Sequence, residues 1–394
     1  MIHELPPHLL RKIASNLYPT DAVVLSTCHS GLRLCGYISR AYFIAQSPDM
    51  ITSFCRWLRQ HPRCLTYLAL YETHSFDDED PIWENLYDAL EYAGTALETL
   101  IIGSAVQPVD LIARLPSLQH VSMYDGPYPQ LSSLAHNTAL KTLHIKSGLD
   151  DVYENTADLH GIASAPSLEK LVIWEQPERV CLCMIPRLQS LQHVEIIGTP
   201  DQTCIVTNIK HLRSLPCLQH LILDSSTPLF DEELYASFRN LKTFDVSRRH
   251  PEHAWIWRDE HFTAPHNGAF LRGLQHMRRL ETLGCRDTFL TDAYSSSTVK
   301  KLVMTTESLV RTLEAGFHLR HLPSLKHLVI DGSCDTVFPT PFIRPLISQL
   351  EETTGLTVTL HRPLHGDRPL RENVILSFWL SMASACPRVY FRME

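Results

Sequence analysis

Residues 325–330, LKHLVI, have a pattern that returns along most of the chain. Apolar residues occupy the first, fourth and sixth positions. The last three positions alternate in the way that places neighbouring side chains on opposite faces of a β-strand. Ten further segments share the pattern, and they begin at residues 65, 97, 118, 140, 168, 191, 218, 241, 280 and 299, while a last, degraded copy begins at residue 356. One type of strand therefore recurs about every 26 residues, and this repetition decides the architecture.

Most copies follow a stretch with the apolar spacing of a helix, such as residues 270–280. Pro116, Pro166, Pro216 and Pro323 stand two residues before the first leucine of their segments, where we expect them to end the helix. One such unit cannot bury its apolar side alone, whereas stacked units can. The pattern resembles the leucine-rich repeat. The resemblance implies an α/β solenoid over residues 49–360, with about 12 irregular repeats, a curved parallel sheet and helices on its convex side.

Composition sets limits on the compartment and the partners. The chain has 394 residues and a net charge of −8, which argues against a nucleic-acid-binding surface. No apolar run is long enough to cross a bilayer, and MIHELPPHLL at residues 1–10 lacks the pattern of a signal peptide, so we expect no membrane attachment. Eleven cysteines without paired spacing suit reduced thiols. We therefore expect an intracellular protein, in the cytoplasm or the nucleus.

Residues 1–48 do not follow the repeat. Leu9, Leu10, Ile13 and Leu17 have helical spacing, and a second short helix is predicted after Asp21. A third helix is predicted to open near residue 30 and to run through residue 42. Three small helices of this kind form a domain with little core of its own.

The stretch LPPHLLRKIASNLYPTDAVVLSTCHSGLR, residues 5–33, is similar to the F-box motif. An F-box followed by leucine-rich repeats is the arrangement of substrate receptors in SCF-type, cullin-based ubiquitin ligases. The resemblance implies that the Skp adaptor, and through it the cullin scaffold, docks on an apolar set in residues 1–48. This set comprises Leu5, Pro6, Leu9, Ile13, Leu17, Val24, Leu25 and Leu32. The tryptophan that often follows Cys28 in the family is absent. The alternative is a helical cap that only covers the end of the array.

Outward positions of the strands are the candidate binding residues. Tyr124, Lys146 and Trp174 fall at the same position of three consecutive repeats, and a Trp beside a Tyr and a cation is typical of protein-binding surfaces. The alternative is that a neighbouring loop covers Trp174 and makes it part of the core. Arg286 holds the same position further along, and we include it among the partner-binding residues.

Histidines supply the remaining candidates. His193 and His220 belong to successive repeats and are predicted to lie about 5 Å apart, the spacing of adjacent strands. Without a third ligand we interpret them as exposed imidazoles rather than a metal site. An insertion at residues 247–268 contains four histidines together with Trp255 and Trp257. We interpret it as a partner-contacting loop, with a loop that covers a flank and a zinc site as alternatives.

Sequence motifs for catalysis are missing. The sequence contains no phosphate-binding loop, no nucleophile elbow and no HExxH pair. We expect no enzyme activity, no cofactor and no metal. Residues 361–394 are predicted to form a C-terminal cap. Two functions stay open: a substrate receptor that brings an unknown protein substrate to a ubiquitin ligase, and a repeat scaffold that has no ligase role.

Overall fold

The computed structural model describes Leu9 and residues 39–62, 65–72, 81–103, 112, 114–126, 137–147, 156–157, 159, 162, 165–174, 179–198, 204–224, 232–247, 264–285, 288–331, 340–353, 355–361 and 390–393. The chain divides into two compact units, Met1–Leu191 and Gln192–Glu394. Each unit is built on a parallel sheet whose strands are joined through helical segments. The predicted α/β class is therefore confirmed.

The first unit contains β1 Arg40–Ala45, α1 Pro48–Gln60, β2 Tyr67–Glu72, α2 Pro81–Ala93, β3 Thr99–Gly103, β4 His120–Gly126, β5 Thr142–Ser147, β6 Thr156–Ala157, β7 Lys170–Trp174 and β8 Arg179–Cys181. Strands β1, β2, β3, β4, β5 and β7 lie side by side in that order and are parallel. The short strands β6 and β8 pair with each other. Each repeat thus lies next to the repeat that precedes it in the chain, as stacking requires.

The second unit contains β9 His193–Ile197, β10 Ile205–Thr207, β11 His220–Asp224, α3 Glu232–Ser237, β12 Thr243–Ser247, α4 Ala264–Leu274, β13 Thr282–Cys285, β14 Lys301–Thr305, α5 Thr306–Glu314, β15 His327–Asp331, α6 Thr340–Glu352, β16 Thr357–His361 and β17 Tyr390–Met393. Its sheet also follows chain order, from β9 through β11 and β12 to β17. All described pairings in it are parallel. Each of the twelve predicted segments overlaps one of these parallel strands.

Alternate strand residues form the core. Leu100, Leu143, Leu221 and Leu328 occupy equivalent positions in their repeats, and each is 0% exposed. Burying one such side chain stabilises the fold by about 1.5–3 kcal/mol, so rows of them supply the main favourable term. Val329 was expected on the solvent side and faces outward by alternation, yet it is 4% exposed.

The repeat prolines lie in the turns that follow the helical segments. The amide of Leu118 donates to the carbonyl of Leu115 at 3.2 Å, and the amide of Leu325 donates to the carbonyl of Leu322 at 3.0 Å. These bonds close four-residue turns in which proline holds the second position, which suits its fixed φ. The segments before two of the turns are short 3-10 helices, Ile209–Ser214 and Leu319–His321, rather than α-helices. Proline therefore shapes the turn into the strand.

Each predicted domain boundary separates one strand from the sheet to which that strand belongs. The predicted end of the third helix, at residue 42, is wrong, because Arg40–Ala45 is strand β1 and pairs with β2 along its whole length. Strand β17, Tyr390–Met393, lies in the predicted C-terminal cap and extends the second sheet by pairing with β16. Apart from Leu9, residues 1–38 lie outside the described part. Leu9 is helical and 38% exposed.

Within the described ranges, no helix has both the length and the apolar character needed to cross a membrane.

Candidate binding face of the first sheet

The strands of the first unit pair in register, so their outward side chains form three rows. The first outward row comprises Arg40, Tyr67, Thr99, His120, Thr142 and Lys170. The second outward row comprises Tyr42, Ala69, Ile101, Ser122, His144 and Val172. The third outward row comprises Ile44, Tyr71, Gly103, Tyr124, Lys146 and Trp174. We call these three rows the outward face of the first sheet.

Tyr124, Lys146 and Trp174 lie on adjacent strands of this face, as predicted. The structure adds His144, whose ring lies between the two other rings. The ring centroids of Tyr124 and His144 are 5.2 Å apart, and those of His144 and Trp174 are 4.6 Å apart, both in edge-to-face geometry. The Tyr124 hydroxyl is 3.2 Å from Nδ1 of His144. We call Tyr124, His144 and Trp174 the ring row.

The three side chains of the ring row pack against one another and are each partly exposed to solvent. Edge-to-face contacts contribute about 0.5–1.5 kcal/mol each beyond burial, so the indole and the phenol are held in place before any partner arrives. Trp174 and Lys146 are half-buried, and Trp174 therefore keeps exposed surface instead of being a fully buried core residue. His144 was missed from sequence. Strand alternation from Tyr124 and Lys146 already puts position 144 on this face, and that signal could have found it.

A second aromatic cluster lies on β1 and β2. The rings of Tyr42 and Tyr67 have centroids 5.4 Å apart, and Cζ of Arg40 lies 4.8 Å from the Tyr67 centroid. Burial and a hydrogen bond with Tyr42 raise the pKa of Tyr67 to about 12, against a smaller lowering by the Arg40 cation. The ring of Tyr71 covers Gly103 on the next strand. We call Arg40, Tyr42, Tyr67 and Tyr71 the tyrosine cluster.

The second unit carries imidazoles and carboxylates on its outward face. Nε2 of His193 is 2.9 Å from Oε2 of Glu195, and the rings of His193 and His220 have centroids 5.4 Å apart, which confirms the predicted distance. Nδ1 of His220 is 3.0 Å from Oγ1 of Thr243. The interpretation of simply exposed imidazoles is wrong, since both rings are half-buried and bonded to neighbours. Within the described residues no group of three or more His, Cys, Asp and Glu could hold a metal ion.

Asp245 is the other outward carboxylate of the second unit whose side chain is described, and it is 8% exposed. It lies against Gly284 of the neighbouring strand. Burial first, and then the charge of Asp245, raise the pKa of the Cys285 thiol. This side chain faces the core, as expected for a reduced cysteine acting as a small apolar residue.

Other predicted site residues lie outside the described part of the chain. Arg286, Trp255 and Trp257 are among them, and so are all the predicted adaptor-binding residues except Leu9. The described end of the insertion, from Ala264, is the first part of helix α4 rather than loop.

Comparisons with known proteins complete the description. Neither a protein-family profile nor a curated protein sequence matches the chain. Among solved structures it is similar to the protein of the TLR13–ssRNA13 complex, with 11% identity, a TM-score of 0.45 and coverage of 92% of this chain and 51% of that chain. It is also similar to a chain of the mouse RP105/MD-1 complex, with 14% identity, a TM-score of 0.45 and coverage of 89% and 62%. The chain thus spans between half and two thirds of the length of these two proteins.

The repeat assignment rests on the chain itself. Successive strands lie side by side in chain order, they pair in register, and their inward apolar residues, most of them leucine, valine or isoleucine, form buried rows. The fold of each unit is that of a leucine-rich-repeat array.

Proposed function

We propose that this protein is a non-enzymatic, protein-binding subunit that holds a partner on the outward face of its first sheet. The observation that carries the proposal is the ring row, in which Tyr124, His144 and Trp174 are locked edge to face and remain partly exposed. Protein-binding hot spots are enriched in Trp, Tyr and Arg, and truncation of such a residue costs about 2 kcal/mol or more of binding free energy. A prearranged aromatic row is suited to this task.

The chemistry of the ring row supports protein binding. His144 contacts a phenol and an indole through its ring, and the phenol hydroxyl lies beside its Nδ1. This arrangement positions flat apolar surfaces with polar edges, which is what a protein interface uses.

We further propose that the bound partner is the substrate of an SCF-type ubiquitin ligase, with the Skp adaptor docked on residues 1–48. The support is the F-box-like motif in residues 5–33 and its place in front of leucine-rich repeats. Leu9, one of the proposed docking residues, is 38% exposed and is therefore accessible to an adaptor. The mechanism would be proximity, because a tethered substrate has a raised effective concentration at the ligase.

Affinity capture from cells, followed by mass spectrometry, tests both parts. Trp174→Ala with Tyr124→Ala should remove the substrate proteins and leave the adaptor bound. Leu5→Ala with Pro6→Ala should remove adaptor and cullin and leave the substrates bound. Tyr92→Ala is the matched control, since Tyr92 lies on helix α2 and is 60% exposed.

The outcomes separate the alternatives. Substrate capture that survives the loss of both Tyr124 and Trp174 would contradict the proposed binding face. A wild-type sample without adaptor or cullin would contradict the ligase role and would favour the repeat scaffold.

A further inference from the structure

Exposed apolar side chains are concentrated on the first two strands. Within the described residues, Tyr42 is 53% exposed, Ile44 is 45% exposed and Tyr71 is 38% exposed. All three lie on the outward face of β1 and β2, where Arg40 and Tyr67 adjoin them. Apolar exposure of this kind, rimmed by polar groups, is typical of interaction sites rather than of ordinary surface. This end of the face is therefore a second candidate contact area beside the ring row.

The charges of the same face have one sign. Arg40 and Lys170 are exposed at the two ends of the first outward row, and Lys146 lies in the third row. None of the outward positions in the three rows of β1, β2, β3, β4, β5 and β7 is Asp or Glu. A chain with a net charge of −8 thus presents a strand face that bears cations and no carboxylate. A partner that complements this face must carry negative charge.

The geometry sets the size of the partner segment. Adjacent strands lie about 4.8 Å apart, so the five steps from β1 to β7 separate Arg40 from Lys170 by roughly 24 Å. An extended polypeptide covers roughly 3.3–3.6 Å per residue, so about seven residues bridge the two cations. Along each strand, the third row lies roughly 13 Å from the first row. Acidic side chains of one segment can therefore reach the first row while its apolar side chains contact the rings.

We propose that the outward face of the first sheet binds an acidic polypeptide segment that also carries aromatic or aliphatic side chains. Carboxylates of the segment pair with Arg40 and Lys170, and its apolar side chains contact the tyrosine cluster and the ring row. The inference rests on the proposed function and adds the chemistry of the partner to it. Nucleic acid fits this face less well, because phosphate binding relies on clustered Lys and Arg, whereas Arg40 and Lys170 lie roughly 24 Å apart.

The test is a binding titration of the full-length protein with defined polymers. The probe is a fluorescently labelled random copolymer of glutamate and tyrosine. A lysine–tyrosine copolymer and a poly(U) oligonucleotide are the comparison probes. We expect the glutamate–tyrosine copolymer to bind at least about tenfold more tightly than either of them, and to weaken as salt screens the charges.

Two double variants assign the binding to the face. Arg40→Gln with Lys170→Gln should weaken the glutamate–tyrosine copolymer by about 3- to 10-fold, as expected for exposed charge pairs. Tyr42→Ala with Tyr71→Ala should weaken it by about tenfold or more. Arg56→Gln and Tyr92→Ala are the matched controls, because both residues are exposed on helices. Thermal unfolding confirms that each variant is folded.

Three results would overturn the inference: absent or equal binding of the acidic and basic copolymers, binding that the face variants leave unchanged, and tighter binding of poly(U). None of them bears on the capture experiment with the Tyr124 and Trp174 variants. Failure of the acidic-segment inference is therefore distinguishable from failure of the proposed function.

Discussion

The two units share one inward pattern and differ in what they present outward. Leu143 in the first unit and Leu221 in the second are equally buried, at 0% exposure. Outward, the first sheet bears the ring row, the tyrosine cluster and cations, whereas the second bears the pair of His193 with Glu195 and the buried Asp245. The inward rows stabilise the fold of both units, so the residues of the outward rows can differ without loss of that stability. The difference teaches that binding specificity resides in the outward rows and not in the repeat.

The largest expected effect is on the free energy of unfolding, and it tests whether the inward rows of the two units contribute equally to stability. Leu143→Ala and Leu221→Ala each remove a fully buried side chain, and each should lower the free energy of unfolding by about 2–5 kcal/mol. Chemical denaturation measures both. A cost near zero in either unit would mean that its inward row does not carry the fold.

A smaller change in the free energy of unfolding is expected when a strand glycine of either unit is replaced by alanine. Alanine at Gly284 in the second unit would place Cβ against the Asp245 side chain and 2.8 Å from its Cα, which is backbone and cannot move aside. Gly284→Ala should therefore cost about 1–3 kcal/mol of unfolding free energy. The three atoms nearest to an added Cβ at Gly103 in the first unit all belong to the ring of Tyr71, which is 38% exposed and can rotate away, so the cost of Gly103→Ala should be well under 1 kcal/mol. Equal costs would contradict this contrast.

The surface ion pairs of the two units should contribute less to the free energy of unfolding than the residues above. Arg114 in the first unit contacts Glu84 at 2.9 Å and Asp88 at 3.1 Å, whereas Arg213 in the second contacts Glu233 at 3.3 Å. The carboxylates and Arg213 are largely exposed and Arg114 is partly exposed, so Arg114→Ala should cost no more than about 1 kcal/mol of unfolding free energy and Arg213→Ala less. Denaturation at low and high salt should show the Arg114 effect shrinking. A salt-independent loss would point to packing instead of charge.

The smallest effect concerns the tyrosine cluster. Tyr42→Phe removes the hydrogen bond that helps to raise the pKa of Tyr67 to about 12, so this pKa should move toward the ordinary value. A tyrosinate absorbance titration detects the shift. The raised pKa in the folded state also means that unfolded chains lose this proton first, so stability should fall as the pH rises from about 10 to about 12. Tyr294 of the second unit, whose pKa is raised mainly by burial, should not respond to the substitution.

Much of this fold could be predicted from the sequence, because a leucine pattern with a regular period specifies both the strands and their order. Strand alternation predicts Tyr124, Lys146 and Trp174 in the third outward row, and the same alternation applied to the second outward row would also have found His144. Strand β1 was missed because RAYFIA has no leucine, so small alanines at positions 41 and 45 take the inward places. Position 195 is outward by the same alternation, and this signal would have predicted Glu195 as the partner of His193.

Site-specific photo-crosslinking in cells tests the central claim most directly. The photoreactive residue p-benzoylphenylalanine would replace Tyr42, Trp174 or, as the control, Tyr92. The account predicts crosslinks from positions 42 and 174 to an acidic segment of one protein and none from position 92. Crosslinks from position 92 alone, with both sheet positions silent, would contradict the assignment of the outward face of the first sheet as the binding surface.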